Sequence, residues 1–312
     1  MIWAAVAALA TVACAKEPQA LAADGVSASK IERKLLRGGS AAMEGKHIEG
    51  DLDFTRAGEG LRATAMARVH VGGEVAFENC VFEGDVSARA DAPDGRGTTV
   101  VVFDKDVSFV GCVFEGCVDL SLCSFKGTVR MENCVIRGTA RFEGSRALDG
   151  IILNRTVFEG DASLDGIRMG PGTSLIGVKF SQAALMPNIW AEDDLMIGDC
   201  EFGGITDLSH LHASGGLNLS NCRFAKRTEC RDSDISGGVT VSNTEFGGNV
   251  TCENVTVGGR VTVNAATFGR NIEVTRCVFL QWPEISGLRT SDASAVKVEE
   301  NGTTSSPIKA EK

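Results

Sequence analysis

The chain has 312 residues, 43% of them hydrophobic, with a formal charge of −10 at pH 7 and a pI near 5.0. That apolar content is ample for one packed domain. The negative charge sits in residues 41–282, which carry −11 against +2 for residues 1–40 and −1 for residues 283–312. An acidic segment without a basic stripe excludes an ordinary nucleic-acid-binding surface, so no nucleic-acid partner is expected.

In chain order, residues 1–13 (MIWAAVAALATVA) form an apolar run of signal-peptide length, too short for an ordinary membrane span. The run closes on Thr11-Val12-Ala13-Cys14, which resembles a bacterial lipoprotein signal. The resemblance implies export, lipidation of Cys14 and a membrane-anchored lipoprotein, with residues 15–28 as the linker. Ala13-x-Ala15 also fits ordinary signal cleavage, which would release a periplasmic protein. Next, Ser29-x-x-Glu32 followed by Leu35, Leu36 and Gly38 predicts a capping box, a short helix and its stop. Such a helix would cover the open end of a β-structure, whose unpaired edge otherwise invites aggregation.

Strand patterning follows. Val75, Phe77, Cys80, Phe82 and Val86 alternate as a half-buried strand does, one residue out of frame with what comes later. The loop Asp91–Gly97 accounts for the shift as an insertion, and another insertion lies between Phe54 and Val69. From Val107 to Trp282 the chain holds sixteen eleven-residue repeats of the form V-x-F-x-x-C-x-F-x-G-x, without a gap. The first position runs Val107, Val118, Val129, Ala140 and onward. The second runs Phe109, Leu120, Met131, the third Cys112, Cys123, Cys134, and the fourth Phe114, Phe125, Ile136. These sixty-four positions contain no charged residue, where the 23% charged content of the chain would place about fifteen by chance. They therefore face inward.

Alternation within each unit has period two, and the apolar centres step by five and six residues, which excludes an α-helix. Gly116, Gly127, Gly138, Gly160, Gly204, Gly237, Gly248 and Gly259 recur two residues after the fourth position. They read as corners at positive φ. A fixed short period of this kind makes a solenoid, each unit burying its apolar face on its neighbours. The segments ENCVFEGDVS (78–87), VSFVGCVFEGCVDL (107–120) and VRMENCVIRGTARF (129–142) resemble the pentapeptide-repeat proteins, in the variant with alternating five- and six-residue spacing. KHIEGDLDF (46–54) resembles the opening coil of such chains. The resemblance implies an all-β, right-handed four-sided β-helix with coils of about 22 residues. Eight coils at about 4.8 Å each give a rod of roughly 38 Å. Domain organisation is then a signal at 1–14, a linker at 15–28, the β-helix with its cap at 29–282, and a disordered tail at 283–312, rich in Ser, Thr, Glu and Lys.

Seven cysteines (Cys80, Cys112, Cys123, Cys134, Cys200, Cys222 and Cys277) share the third position. We read them as small inward hydrophobes. Cys112/Cys134, Cys200/Cys222 and Cys230/Cys252 are one coil apart, but parallel side chains hold Cβ atoms too far apart for a relaxed disulfide. No CxxC pair suggests zinc. Cys117, after a turn glycine, is the candidate exposed thiol.

One outward column differs from the rest. His210 and His212 stand one coil from Asp232 and Asp234, with Trp190 one coil before His212. Two imidazoles facing two carboxylates are the residues a divalent metal would use; plain His–Asp ion pairs are the reading taken here, with no metal and no cofactor. Glu192-Asp193-Asp194 could supply an acid–base pair to a polysaccharide-active β-helix enzyme, yet the repeat lacks the long loops that build a cleft. The expectation is a non-catalytic cell-envelope scaffold contacting an envelope protein or polymer. The alternatives are an acidic DNA mimic acting on DNA gyrase, as some cytoplasmic pentapeptide-repeat proteins are, or the polysaccharide enzyme.

Overall fold

Triplets such as Val107-Ser108-Phe109 send two side chains inward and one outward, and each makes one short strand. A computed structural model describes residues 24–57, 66–290 and 296–299. One coil holds four strands, Val107–Val110, Val113–Phe114, Val118–Asp119 and Ser124–Phe125, one on each of four faces. Each pairs in parallel with the strand 22 residues on: Val107 with Val129, Val113 with Val135, Val118 with Ala140, Ser124 with Arg146. Among the described residues four sheets result, of 12, 11, 11 and 11 strands, parallel throughout except for Arg89–Asp91. Parallel pairing needs a long crossover, and here the other three sides of the coil supply it.

The core is a set of vertical ladders. All sixteen third-position residues from Cys112 to Cys277 are buried. At the fourth position Phe158, Phe180, Phe202, Phe224, Phe246 and Phe268 stack ring on ring, with centroids 4.4 to 5.0 Å apart. The third position also has a polar duty. Its thiol or hydroxyl donates to a carbonyl of the preceding coil: Cys112 to Phe77 (3.4 Å), Cys134 to Phe109 (3.3 Å), Ser145 to Leu120 (2.6 Å), Thr156 to Met131 (3.0 Å) and Cys222 to Ile197 (3.3 Å). Cys, Ser and Thr interchange there because each places a donor one bond from Cβ.

The corners differ from the expectation. Every residue just before a third position, in steps of eleven from Gly111 to Gly287, has φ between +47° and +66°. Gly, Asn and Asp dominate, but Leu122, Arg155, His210, Ala265 and Arg276 take the same conformation. The glycines expected to turn the chain (Gly116, Gly138, Gly160, Gly237 and their equivalents) are not at positive φ. They are places where successive coils approach closely. A Cβ on Gly138 would lie 2.5 Å from the Gly116 carbonyl oxygen, and one on Gly160 would lie 2.6 Å from that of Gly138.

At the N-terminal end the helix spans Ala28–Leu36 and buries Ile31 and Leu35. Its N-cap is Ser27, with no side-chain cap bond, so the predicted Ser29/Glu32 capping box does not form. Glu32 is buried and accepts instead from the backbone N–H of Asp53 at 3.0 Å, tying helix to first coil. The predicted stop holds: Gly38 has φ +73° and donates to Leu35. Asp24–Ser27 is not linker but a strand paired with Lys46–Glu49, so β-structure begins before residue 29. The loop Asp91–Gly97 is the turn of an inserted hairpin, Arg89–Asp91 antiparallel to Thr98–Phe103. The insertion between Phe54 and Val69 falls partly outside the described residues.

Pairing also continues past Pro283. Glu284–Ser286, Arg289–Thr290 and Val296–Glu299 extend three sheets, so the boundary expected at residue 283 does not stand. The side chains of Glu284, Ile285 and Ser286 are exposed. Glu284 also pairs with Arg260 at 2.7 Å and Ser286 donates to Asn264 at 3.3 Å, so exposed polar contacts and backbone bonds, not an apolar alternation, join Glu284–Ser286 to the rod. The 1–14 signal with Cys14, most of the linker and the end of the tail lie outside the described residues.

Candidate functional site

The 22-residue coil places outward residues of the fourth face in register: Arg146 beside Arg168, then Trp190, His212 and Asp234. Parallel pairing forces these side chains into one file. The Arg168 guanidinium lies 5.7 Å from the Trp190 ring centroid. The His212 ring packs on the other side of that indole, with centroids 4.5 Å apart. His212 Nδ1 is 3.9 Å from Asp234 Oδ2, and Arg146 reaches across two coils to Glu192 at 3.6 Å. Trp190 is 44% exposed, a large apolar ring held edge-on to solvent between a cation and an imidazole.

Of the four residues picked out for a metal, the structure brings His212 and Asp234 together and leaves the other two apart from them. His210 and Asp232 occupy left-handed corners, with φ +56° and +48°. They belong to the next column around, where no hydrogen bond or ion pair joins them. Asp232 accepts instead from the Asn254 side chain at 2.6 Å, the same amide-to-carboxylate step as Asn221 to Asp199 at 3.0 Å. Among the described residues no three His, Cys, Asp or Glu side chains converge on a point that could hold a metal ion. The Glu192-Asp193-Asp194 run is divided as well. Glu192 pairs with Arg146, and Asp194 accepts from the backbone N–H of Gly216 at 2.6 Å.

Arg168 and Arg146 are the members of this column that sequence reading missed. The 22-residue offset that linked Trp190 to His212, counted backward, leads to both. On the second face the outward charges alternate in sign along the axis: Glu115 with Arg137 (2.6 Å), Lys179 with Glu201 (3.8 Å), Arg223 with Glu245 (3.7 Å). Each such exposed pair contributes under about 1 kcal/mol, and together they neutralise much of that face.

Among the described residues the ten cysteines are thiols and none is joined in a disulfide. Cys230 and Cys252 are partners in register, as are the strands that carry them. No described helix is long and apolar enough to cross a membrane. The family model for pentapeptide repeats (nine copies) matches this chain over residues 109–150 and 120–168. No curated protein and no solved structure matches it.

Proposed function

We propose that this protein is a non-catalytic scaffold of the cell envelope, a β-helical rod exported and anchored through a lipid on Cys14, that presents flat sheet faces to an envelope protein or polymer. The observation that carries the reading is the continuity of the four sheets. Coil follows coil with outward side chains in straight files, and the insertion described in full on the pattern is the short Arg89–Phe103 hairpin. Flat ladders suit contact over area, whereas catalysis draws on a concave site with converging groups. The carboxylates nearest to such a role, Glu192 and Asp194, are already engaged in holding neighbouring coils. The Arg168–Trp190–His212–Asp234 file is the face we assign to the partner, since Trp and Arg carry a large share of binding energy where they sit at an interface.

The test is cell fractionation with intact mass, comparing the wild type with Cys14→Ser. Wild-type protein in the membrane fraction, beginning at a lipid-modified Cys14, with the variant released from the membrane, supports the anchored rod. An unprocessed cytosolic protein overturns it.

A further inference from the structure

The interior is not filled evenly along its axis. From Phe109 to Leu219 the second position is always Phe, Leu, Met or Ile; afterward it is Cys230, Val241, Cys252, Val263 and Val274. The first position does not compensate there, holding Thr228, Val239, Val250 and Val261. The backbone register stays at 22 residues per coil throughout, so the tube does not narrow to follow its smaller contents. What remains is a cavity of about 220 Å³, bounded by side chains from Leu208 to Ile285. That span is between three and four coils, roughly 15 Å along the axis.

The wall is made mostly of valines, leucines, isoleucines, phenylalanines and cysteines, with Thr228, Thr251 and Pro283 among them, and no polar atom exposes surface into the space. Cys252 lines the space together with Cys230 and Cys277, is half-buried, and its thiol is raised above its ordinary value by burial. Water needs two to four polar partners to occupy such a space, and a dry apolar cavity of about 150 Å³ already admits benzene. The strand Val296–Glu299 continues the sheet beyond Ile272–Thr275, and among the residues whose side chains are described the cavity is lined at its C-terminal end by Phe279, Pro283 and Ile285. There Ile285 is exposed, beside Leu280 at 68% and Trp282 at 54% exposure.

We propose that the last coils of the rod form a binding site for a single unbranched alkyl chain, entering end-on past Phe279 and Ile285 and lying along the solenoid axis between Val241, Cys252 and Val263. The lining selects the ligand class: spread over more than three coils and exposing no polar atom, it fits a methylene chain and leaves any headgroup outside, at the mouth.

The experiment titrates the full chain with straight-chain fatty acids below their micelle concentrations, read by calorimetry and native mass spectrometry. The expected result is one saturable site for dodecanoate, with affinity rising about fourfold per methylene from hexanoate upward. Val263→Phe should fill the cavity, weaken dodecanoate binding at least tenfold and leave the melting temperature unchanged or higher. Should that variant fail to fold, the milder pair Val241→Leu and Val263→Leu must still weaken binding. No saturable binding by the wild type overturns the proposal. So does unchanged affinity in the folded filled variant, which means adsorption on Leu280 and Trp282. A dimer whose formation excludes dodecanoate also overturns it, assigning the opening to a second copy.

Discussion

The Ser145 hydroxyl donates to the carbonyl oxygen of Leu120 at 2.6 Å, across the step from one coil to the next and wholly out of contact with water. The position repeats every eleven residues, and where Cys or Thr stands there the same bond forms. Ser145→Ala should therefore strand a buried carbonyl and destabilise those coils by about 1–3 kcal/mol, while Ser145→Cys keeps a donor and loses far less. Because a repeat array need not unfold in one step, amide exchange in residues 118–165 is the better measure, with thermal melting beside it. Equal losses for Ala and Cys would show that packing, and not the hydrogen bond, sets the identity of this position.

Two glycine–alanine exchanges should act in opposite directions. Ala265 is exposed and holds φ at +53°, a conformation costing an L-residue about 1–2 kcal/mol. Ala265→Gly removes that strain and gives back part of the gain as entropy of the unfolded chain, for a net stabilisation of a few tenths to about 1 kcal/mol. Gly138→Ala instead drives a methyl into the Gly116 backbone. Neither partner is a side chain that can turn away, so the coils must separate and stability must fall. Paired melting curves of the two variants decide the matter; a Gly138→Ala protein as stable as the wild type would refute the close-approach account.

The architecture was legible because charge vacates four positions in every eleven, a signal summed over sixteen repeats. The corners were not legible in the same way. Residues at the left-handed position point to solvent, so Leu122, Arg155 and His210 sit there without an apolar pattern to mark them, and the conspicuous glycines belong to a different constraint. Capping was misread because Glu32 resembles a capping partner in sequence but is claimed by Asp53, which lies 21 residues away. The terminal strands at Asp24–Ser27 and Glu284–Ser286 pair through backbone bonds and exposed ion pairs, Asp24 with Lys46 and Glu284 with Arg260, and carry no alternating apolar pattern. At the candidate site, spacing was enough to align Trp190, His212 and Asp234. Spacing could not show that His210 turns into a neighbouring corner column, since that depends on which residue of the coil carries the bend.

Thiol reactivity offers an independent check on the interior. Burial pushes the Cys123 thiol up to about 12 and the Cys230 thiol up to about 11, so neither supplies thiolate at neutral pH. Cys117 is half-buried, between the strands Val113–Phe114 and Val118–Asp119. A charged maleimide at pH 8 should label Cys117 rapidly and the other nine described cysteines only on unfolding, with Cys117→Ser abolishing the fast phase in peptide mapping. Rapid charged labelling of Cys112 or Cys134 would mean that the coils open far more readily than a packed ladder allows.

Acid should loosen the first coils through Asp104. Lys126 donates to its carboxylate at 2.6 Å and His70 approaches at 3.3 Å, which together hold the carboxyl below its ordinary value of 3.8. A depressed carboxylate stabilises the fold fully above its unfolded value, and that contribution fades as pH falls through the lower, folded value. With Lys126 half-exposed, the contribution is under about 1 kcal/mol. The melting temperature of Asp104→Asn should thus lie slightly below that of the wild type at pH 6, and the gap should close as pH falls below 3.8. A gap that is constant down to pH 2 would locate the effect of the substitution in packing, because only an ionised Asp104 can lose its pairing to acid.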